Sequence, residues 1–364
     1  MDLVKSSYRS EDVTILLKDI SGLVTPLPTE EREKLNQSGI HYSEMLPLEY
    51  KPTKKYMEIY NEALKTLSYK TAKATAILAD KLYAKYGKNL VLVSLARAGT
   101  PIGILVKRFL SYKYHIVVPH YSISIIRGKG IDTNAMNFIV DKHGSFGIQF
   151  IDGWVGKGAV NSVLQDACKT LKSQDKKFSR LDSTLGVLSD PAFITELCGT
   201  HEDFLIPSAC LNSTVSGLIS RTFLRDDIIS PTDFHGAVYY GELKSEDKSN
   251  EFIDTVSDYF ENIDYNYFDN TFMFIPVGRT GLDEVMSISR DFGLTDISKI
   301  KPGIGETTRV LLRRVPYCVL VKSLSDIKNF PHIKRLCEEK NVPIKEYPLK
   351  LYNVCGIIKK ISDI

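Results

Sequence analysis

Short apolar runs of strand length recur along the first two thirds of the chain, each ending at a polar or glycine-bearing break. Residues 90–95, 115–124, 147–152 and 186–189 read as strands, the first and third passing directly into helix-like segments that begin near Pro101 and Ala159. Strand, tight turn and helix in succession predict an α/β body with a mostly parallel sheet. Residues 53–86 carry apolar side chains at helical spacing and predict two helices, and residues 250–260 and 281–291 predict one helix each. Residues 13–17 fit a strand or a helix turn, and 271–276 fit a strand with Phe272 and Phe274 on one face. Tyr265, Tyr267 and Phe268 read as core.

The last 70 residues change character. Residues 301–314 open a basic helix, followed by strand 317–321, helix 333–339, strand 342–347 and helix 352–360, which together predict a small α/β/α sandwich. Residues 296–364 hold 14 Lys and Arg against 7 Asp and Glu, a balance of +7; the remainder holds 33 against 37, or −4. A basic tail on a mildly acidic body fits a tail that meets a polyanion. The chain therefore divides into an N-terminal cap (1–50), a body (51–295) and a tail domain (296–364).

The 364 residues are 43% hydrophobic, enough for sizeable cores. No apolar run reaches the roughly 18–20 residues of a membrane span, and no signal core follows the first methionine, so no membrane partner and a cytoplasmic location are expected. The six cysteines form no CxxC pair; reduced thiols are expected, with no zinc site or disulfide framework.

Two turns carry candidate chemistry. After the strand ending at Ile151 come Asp152, Gly153, Trp154, Val155, Gly156, Lys157 and Gly158. Glycine amides, a helix N-terminus and a lysine suit a phosphate, and Asp152 suits sugar hydroxyls or a metal such as magnesium. A Walker A loop is excluded, because only two residues separate Gly153 from Gly156 and Gly158 follows Lys157. After the strand ending at Leu95 come Arg97, Ala98, Gly99 and Thr100, a second anion site. Arg127, Gly128, Lys129, Gly130 and Asp132 form a basic lid or a solvated hairpin.

This order resembles that of type I phosphoribosyltransferases. The resemblance implies that Arg97 with the amides of Ala98 and Gly99, next to Thr100, holds the pyrophosphate of phosphoribosyl diphosphate. Gly153, Gly156, Lys157 and Gly158 would hold the 5-phosphate, Asp152 the ribose and its magnesium, and Lys129 or Arg127 would close over the departing charge, with an unknown nucleobase-like acceptor. Asp152 stands alone where that family has two adjacent acids, which keeps a non-catalytic RNA-binding adaptor as an alternative.

Longer phrases at residues 41–47 (HYSEMLP), 93–103 (VSLARAGTPIG), 151–159 (IDGWVGKGA), 202–222 (EDFLIPSACLNSTVSGLISRT) and 234–240 (FHGAVYY) resemble a StiP-type bacterial family of tellurium-resistance and stress-response gene clusters. Members are described both as predicted phosphoribosyltransferases with a C-terminal Pelota-type RNA-binding domain and as cysteine proteases. The second description singles out Cys210 with His235 as an alternative nucleophile and base, or Cys210 as a small buried hydrophobe. Asp190 is a further carboxylate at a strand end, and Ser213 and Thr214 line a polar pocket or cap a helix. In the tail, Gly303, Glu306 and Arg309, followed by Arg313, resemble the Gly-x-Asn-Glu-x-x-Lys signature of Pelota and kink-turn-binding domains, with Gly305 in place of the base-reading Asn. RNA binding mainly through backbone phosphate is the expectation.

Overall fold

The computed structural model describes residues 1–264 and 281–358. The strand expected at 271–276 and the aromatic cluster from Tyr265 to Phe274 lie outside the described residues. The elements are β1 (Thr14–Ile15), β2 (Lys18–Asp19), α1 (Thr29–Gln37), α2 (Lys54–Tyr86), β3 (Val91–Leu95), α3 (Gly99–Tyr114), β4 (His120–Ile123) and β5 (Ile125–Ile126). They continue with β6 (Gly130–Ile131), α4 (Thr133–His143), β7 (Ile148–Trp154), α5 (Ala159–Gln174), β8 (Leu185–Ser189), β9 (Cys198–Thr200), β10 (Gly236–Ala237) and α6 (Ser249–Ser257). The tail holds α7 (Gly281–Asp291), β11 (Ile300–Pro302), α8 (Ile304–Arg313), β12 (Pro316–Val321), α9 (Pro331–Glu339), β13 (Ile344–Glu346) and β14 (Val354–Ile358).

Six strands form one sheet in the order β1-β4-β3-β7-β8-β9, every described pair parallel. Alternation within β3 explains its placement: Leu92 packs with the residues of α2 and α3, while Val91, Val93 and Leu95 pack with those of α4 and α5. Both faces are covered, as the uninterrupted apolar runs require. The N-terminal segment reaches this sheet, since Thr14 and Ile15 pair with Tyr121 and Ser122.

The two helices expected between 53 and 86 are one helix of 33 residues, α2. Thr53 caps it by accepting the Tyr56 N–H, Gly87 ends it at φ 55°, and no Gly or Pro interrupts it. Its alanine stripe lets the sheet come close: a Cβ on Gly199 would lie 2.2 Å from the Ala74 carbonyl oxygen.

The tail sheet runs β11-β14-β12-β13, with β14 antiparallel to both neighbours. The helix expected at 352–360 is instead β14, a central strand whose Val354, Ile357 and Ile358 suit a pleated sheet better than a helix. The sandwich is present all the same. Val319, Val321 and Val354 pack with α8 and α9 on one face, and Cys318, Leu320, Cys355 and Ile357 pack with Val285 and Ile288 of α7 on the other. One apolar cluster runs from α2 through Phe204–Leu211 to Ile304 and Leu311, so body and tail share a core.

Candidate functional site

The turns after β3 and β7 meet at the carboxyl edge of the sheet, where open α/β sheets bind ligands. Gly99 makes the meeting possible, because a Cβ there would lie 2.3 Å from the Ile151 carbonyl oxygen. Arg97 lies at this edge, its Nη1 donating to the Ile219 carbonyl (2.8 Å), its Nη2 to Asn212 Oδ1 (3.2 Å), and Glu49 Oε2 standing 3.9 Å away. Arg97 and Ala98 line a small cavity with Trp154, Ser208, Ser216 and Arg309. Thr100 points inward, its Oγ1 2.7 Å from Ser122 Oγ. Asp152, expected where the strand stops, instead lies within β7 two residues before its end, with Oδ1 accepting the Gly153 N–H at 2.8 Å. Burial pushes its carboxyl up to about 7, against the opposing pull of the Gly153 N–H and Arg309. Lys129 and Arg127 sit at the exposed tip of the β5–β6 hairpin, Lys129 Nζ 3.9 Å from Glu44 Oε1.

The glycine turn that suits a phosphate meets the tail domain. Lys157 Nζ donates to the Ile297 carbonyl and, at 2.9 Å, to the Ile300 carbonyl, and the Gly156 carbonyl accepts the Tyr352 hydroxyl at 2.6 Å. Gly158, at φ 85°, opens α5, and Gly153 lies 3.7 Å, measured from an added Cβ, from the Ala98 carbonyl oxygen. Burial, with Lys301 nearby, lowers the Lys157 ammonium to about 8. Trp154 Nε1 donates to Glu306 Oε1 (3.3 Å), and the Arg309 guanidinium lies 5.3 Å from the Trp154 ring and 3.5 Å from Glu306. Burial raises the Glu306 carboxyl, but Arg309 and Lys301 outweigh it and hold the group low. Asp203 completes the junction. Its Oδ1 accepts the Ile304 N–H (2.8 Å) just after Gly303, and its Oδ2 accepts the Asn353 N–H (2.9 Å). The tail motif thus faces the body rather than open solvent. The Arg313 side chain lies outside the described part.

Cys210 and His235 occupy different surroundings. Cys210 is buried in the cluster shared with α2, beside Tyr60. His235 is buried with Nδ1 2.8 Å from Ser124 Oγ while its backbone N–H meets Asp132 Oδ2, and burial lowers its pKa. Ser213 and Thr214 belong to a short 3-10 turn, and their hydroxyl oxygens are buried without a hydrogen-bond partner among the described residues.

A thiol and an imidazole do meet elsewhere. Cys198, on edge strand β9, has its Sγ 3.5 Å from His201 Nε2. His201 Nδ1 is 2.8 Å from the Asp190 main-chain oxygen and 3.9 Å from Asp190 Oδ2. The bond to a carbonyl fixes Nδ1 as the donor and leaves a lone pair on Nε2, while the sulfur, 3.9 Å from Nδ1 as well, lies beside the ring off the axis of that lone pair. Asp190 is fully buried: Oδ2 accepts the Ile194 and Thr195 N–H groups, and Oδ1 has no partner among the described residues. Burial raises both the Asp190 carboxyl and, to about 11, the Cys198 thiol. Of this group only Asp190 stood out in the sequence. The signal available was Cys198-Gly-Thr-His201 at the end of a short strand.

His201 borders a cleft of about 690 Å³ between α2 and the tail, whose walls include Lys70, Phe204, Phe330 and His332. Among the described residues no three His, Cys, Asp or Glu side chains gather as a metal cage, and no helix is long and apolar enough to cross a membrane.

A family model described as tellurite-like stress resistance cysteine protease StiP matches residues 6–257, and one described as PELOTA RNA binding domain matches residues 279–360. A protein of Acinetobacter baylyi named cysteine protease StiP is 35% identical over 339 residues, covering 88% of this chain and 85% of that protein. The chain belongs to the StiP family and carries a Pelota RNA-binding domain at its C-terminal end.

Proposed function

We propose that the chain is a cysteine hydrolase acting on peptide bonds, with Cys198 as nucleophile and His201 as base, and that its Pelota domain binds RNA. The observation that carries this reading is the 3.5 Å contact between Cys198 Sγ and a His201 ring held through Nδ1 by the Asp190 carbonyl. The family description of a stress-resistance cysteine protease supports it. With its pKa near 11 the resting nucleophile is the thiol, not the thiolate. Once the ring turns its Nε2 lone pair onto the thiol, His201 Nε2 takes the proton as sulfur bonds to the carbonyl carbon, and returns it to the amine as the C–N bond breaks; water then hydrolyses the thioester. Substrate approaches from the cleft beside His201. Cys198 is 1% exposed, so the Phe193 side chain, which stacks on His201 at 4.2 Å, must swing aside while Asp190 keeps its hold on the ring.

The test is cleavage of a casein or quenched-peptide pool. Cys198→Ser and His201→Ala should each lower the rate by roughly 10²-fold or more, while Cys210→Ser should not. Full activity in Cys198→Ser refutes the assignment.

A second reading rests on Asp152, whose carboxyl titrates near neutrality where the β3 and β7 turns meet. Here the body transfers a ribosyl group from phosphoribosyl diphosphate, with magnesium arriving on the diphosphate and Arg97 and Asp152 contacting the substrate. Magnesium-dependent heat of binding that Asp152→Asn abolishes supports it; no heat with wild type rejects it.

A further inference from the structure

Cations from four separate stretches of chain converge where the Pelota domain meets the body. Arg127 lies at the tip of the β5–β6 hairpin, Lys157 follows β7, Arg221 lies in the loop before β10, and Lys301, Arg309 and Arg314 belong to the tail. They are close enough to act on one another. Lys301 and Arg127 both lower the Lys157 ammonium after burial has done so, and Arg314, Arg127 and Arg309 do the same to Lys301. Burial, then Arg32, Arg97 and Arg314, lowers Arg221 to about 10. Glu306 is the acid that opposes this repulsion at both lysines. Bringing like charges together in a part-buried junction is unfavourable unless an anion joins them. Arg127, Lys157 and Arg221 come from outside 296–364, where the balance is a net −4, so the charge gathered here is not the basic tail's alone.

The orientation of the Pelota motif decides what kind of anion. Glu306 and Arg309 face Trp154, and a Cβ on Gly305 would lie 3.6 Å from its ring. RNA contacted through this motif must therefore lie along the junction and pass the body's own cations. Two aromatic rings mark the same path, each with a guanidinium over a face. Arg309 lies over Trp154, and Arg221 and Arg127 lie over Tyr42 at 5.4 and 6.0 Å. Guanidinium groups interleaved with aromatic rings suit a single strand, whose bases can stack. A lone phosphate would not span a hairpin tip, the body loop and the tail helix.

We propose that single-stranded RNA bound by the Pelota domain continues across the junction onto the body, held there by Arg127 and Arg221. This rests on RNA binding by the tail, as read above, and extends the binding surface to a part of the chain to which no nucleic-acid contact is assigned. It also makes RNA a bridge between the tail and the mouth of the body.

The test is fluorescence anisotropy of the full-length protein with a short labelled single-stranded oligoribonucleotide over a salt series. Arg127→Ala, an exposed position, should weaken binding several-fold and lower the slope of log K against log salt by about 0.7, the value of one single-strand phosphate contact. Arg309→Ala should do likewise, and Lys169→Ala, an exposed position in the second half of α5, should do neither. Thermal unfolding of Arg127→Ala should match wild type. Loss of binding in Arg309→Ala with none in Arg127→Ala or Arg221→Ala overturns the extension and leaves RNA binding by the tail standing. No binding by wild type overturns both. Equal or tighter binding of a duplex of the same sequence overturns the single-strand assignment. Displacement of the RNA by inorganic phosphate at constant ionic strength would show a small-anion site instead.

Discussion

Asp203→Ala tests the docking of the Pelota domain with a signed pH dependence. In the native chain the carboxylate is 8% exposed and receives two amides, Ile304 N–H at 2.8 Å and Asn353 N–H at 2.9 Å, so one side chain of the body caps the first turn of α8 and holds the approach to β14. Leaving a buried N–H without an acceptor costs about 1–3 kcal/mol, or about 2–6 for the two. An opposing effect reduces the loss. Burial pushes the carboxyl up to about 6, despite these amides, roughly two pH units above its ordinary value. At pH 8 the native state therefore carries an ionised group that it disfavours by about 3 kcal/mol, and alanine relieves that penalty. A carboxyl raised in this way contributes stability that is complete below its unfolded value and disappears as pH climbs through about 6. Removing it should change stability at pH 8 by anything from a gain of about 1 to a loss of about 3 kcal/mol, and should cost about 1.4 kcal/mol more at pH 5 than at pH 8, the remainder emerging below pH 5. Trp154, the single tryptophan, sits at this junction and reports it in urea titrations, with circular dichroism following the whole chain. A loss at pH 8 equal to or larger than that at pH 5 refutes the reasoning.

Two further substitutions probe the sheet edge. Gly99→Ala would place a methyl 2.3 Å from the Ile151 carbonyl oxygen and 3.0 Å from Asp152 Cα, backbone against which nothing can yield, so a loss of at least about 3 kcal/mol or insoluble protein is expected. A melting temperature equal to that of wild type contradicts it. Asp152→Asn removes a carboxyl raised to about 7, whose contribution is lost as pH rises through that value. The variant should exceed wild type by about 1–2 kcal/mol at pH 8, allowing for residual solvent contact, by less than half of that at pH 5, and by nothing below about pH 4; an equal gain at pH 8 and pH 5 contradicts the burial of the carboxyl.

The parts of this fold that sequence displays are those governed by local pattern. The runs ending at Leu95, Ile151 and Ser189 are β-rich, apolar and bounded by breakers, and each is a strand of the parallel sheet. Length misleads where no breaker exists, as in α2, whose unbroken alanine stripe continues through the break expected between two helices. At β14 the competing principle is tertiary: a segment with helical spacing becomes a strand because β11 and β12 offer backbone partners on both sides. Site chemistry is less visible still. The glycine turn at 153–158 has the residues of a phosphate cradle, yet which partner Lys157 meets depends on a domain 140 residues later, through Ile297 and Ile300. Cys198 and His201 escaped notice because a short edge strand buries the sulfur and only the Asp190 carbonyl, distant in sequence, holds the imidazole beside it.

The central claim is that Cys198, aided by His201, is the reactive thiol among six buried cysteines. Site mapping by mass spectrometry after limited treatment with a peptidyl electrophile tests it directly. The account predicts modification at Cys198 in wild type, slowed by at least roughly tenfold in His201→Ala, with the other five thiols unmodified in the native protein. Modification of Cys210 in preference to Cys198, or a Cys198 rate unchanged by His201→Ala, would contradict it.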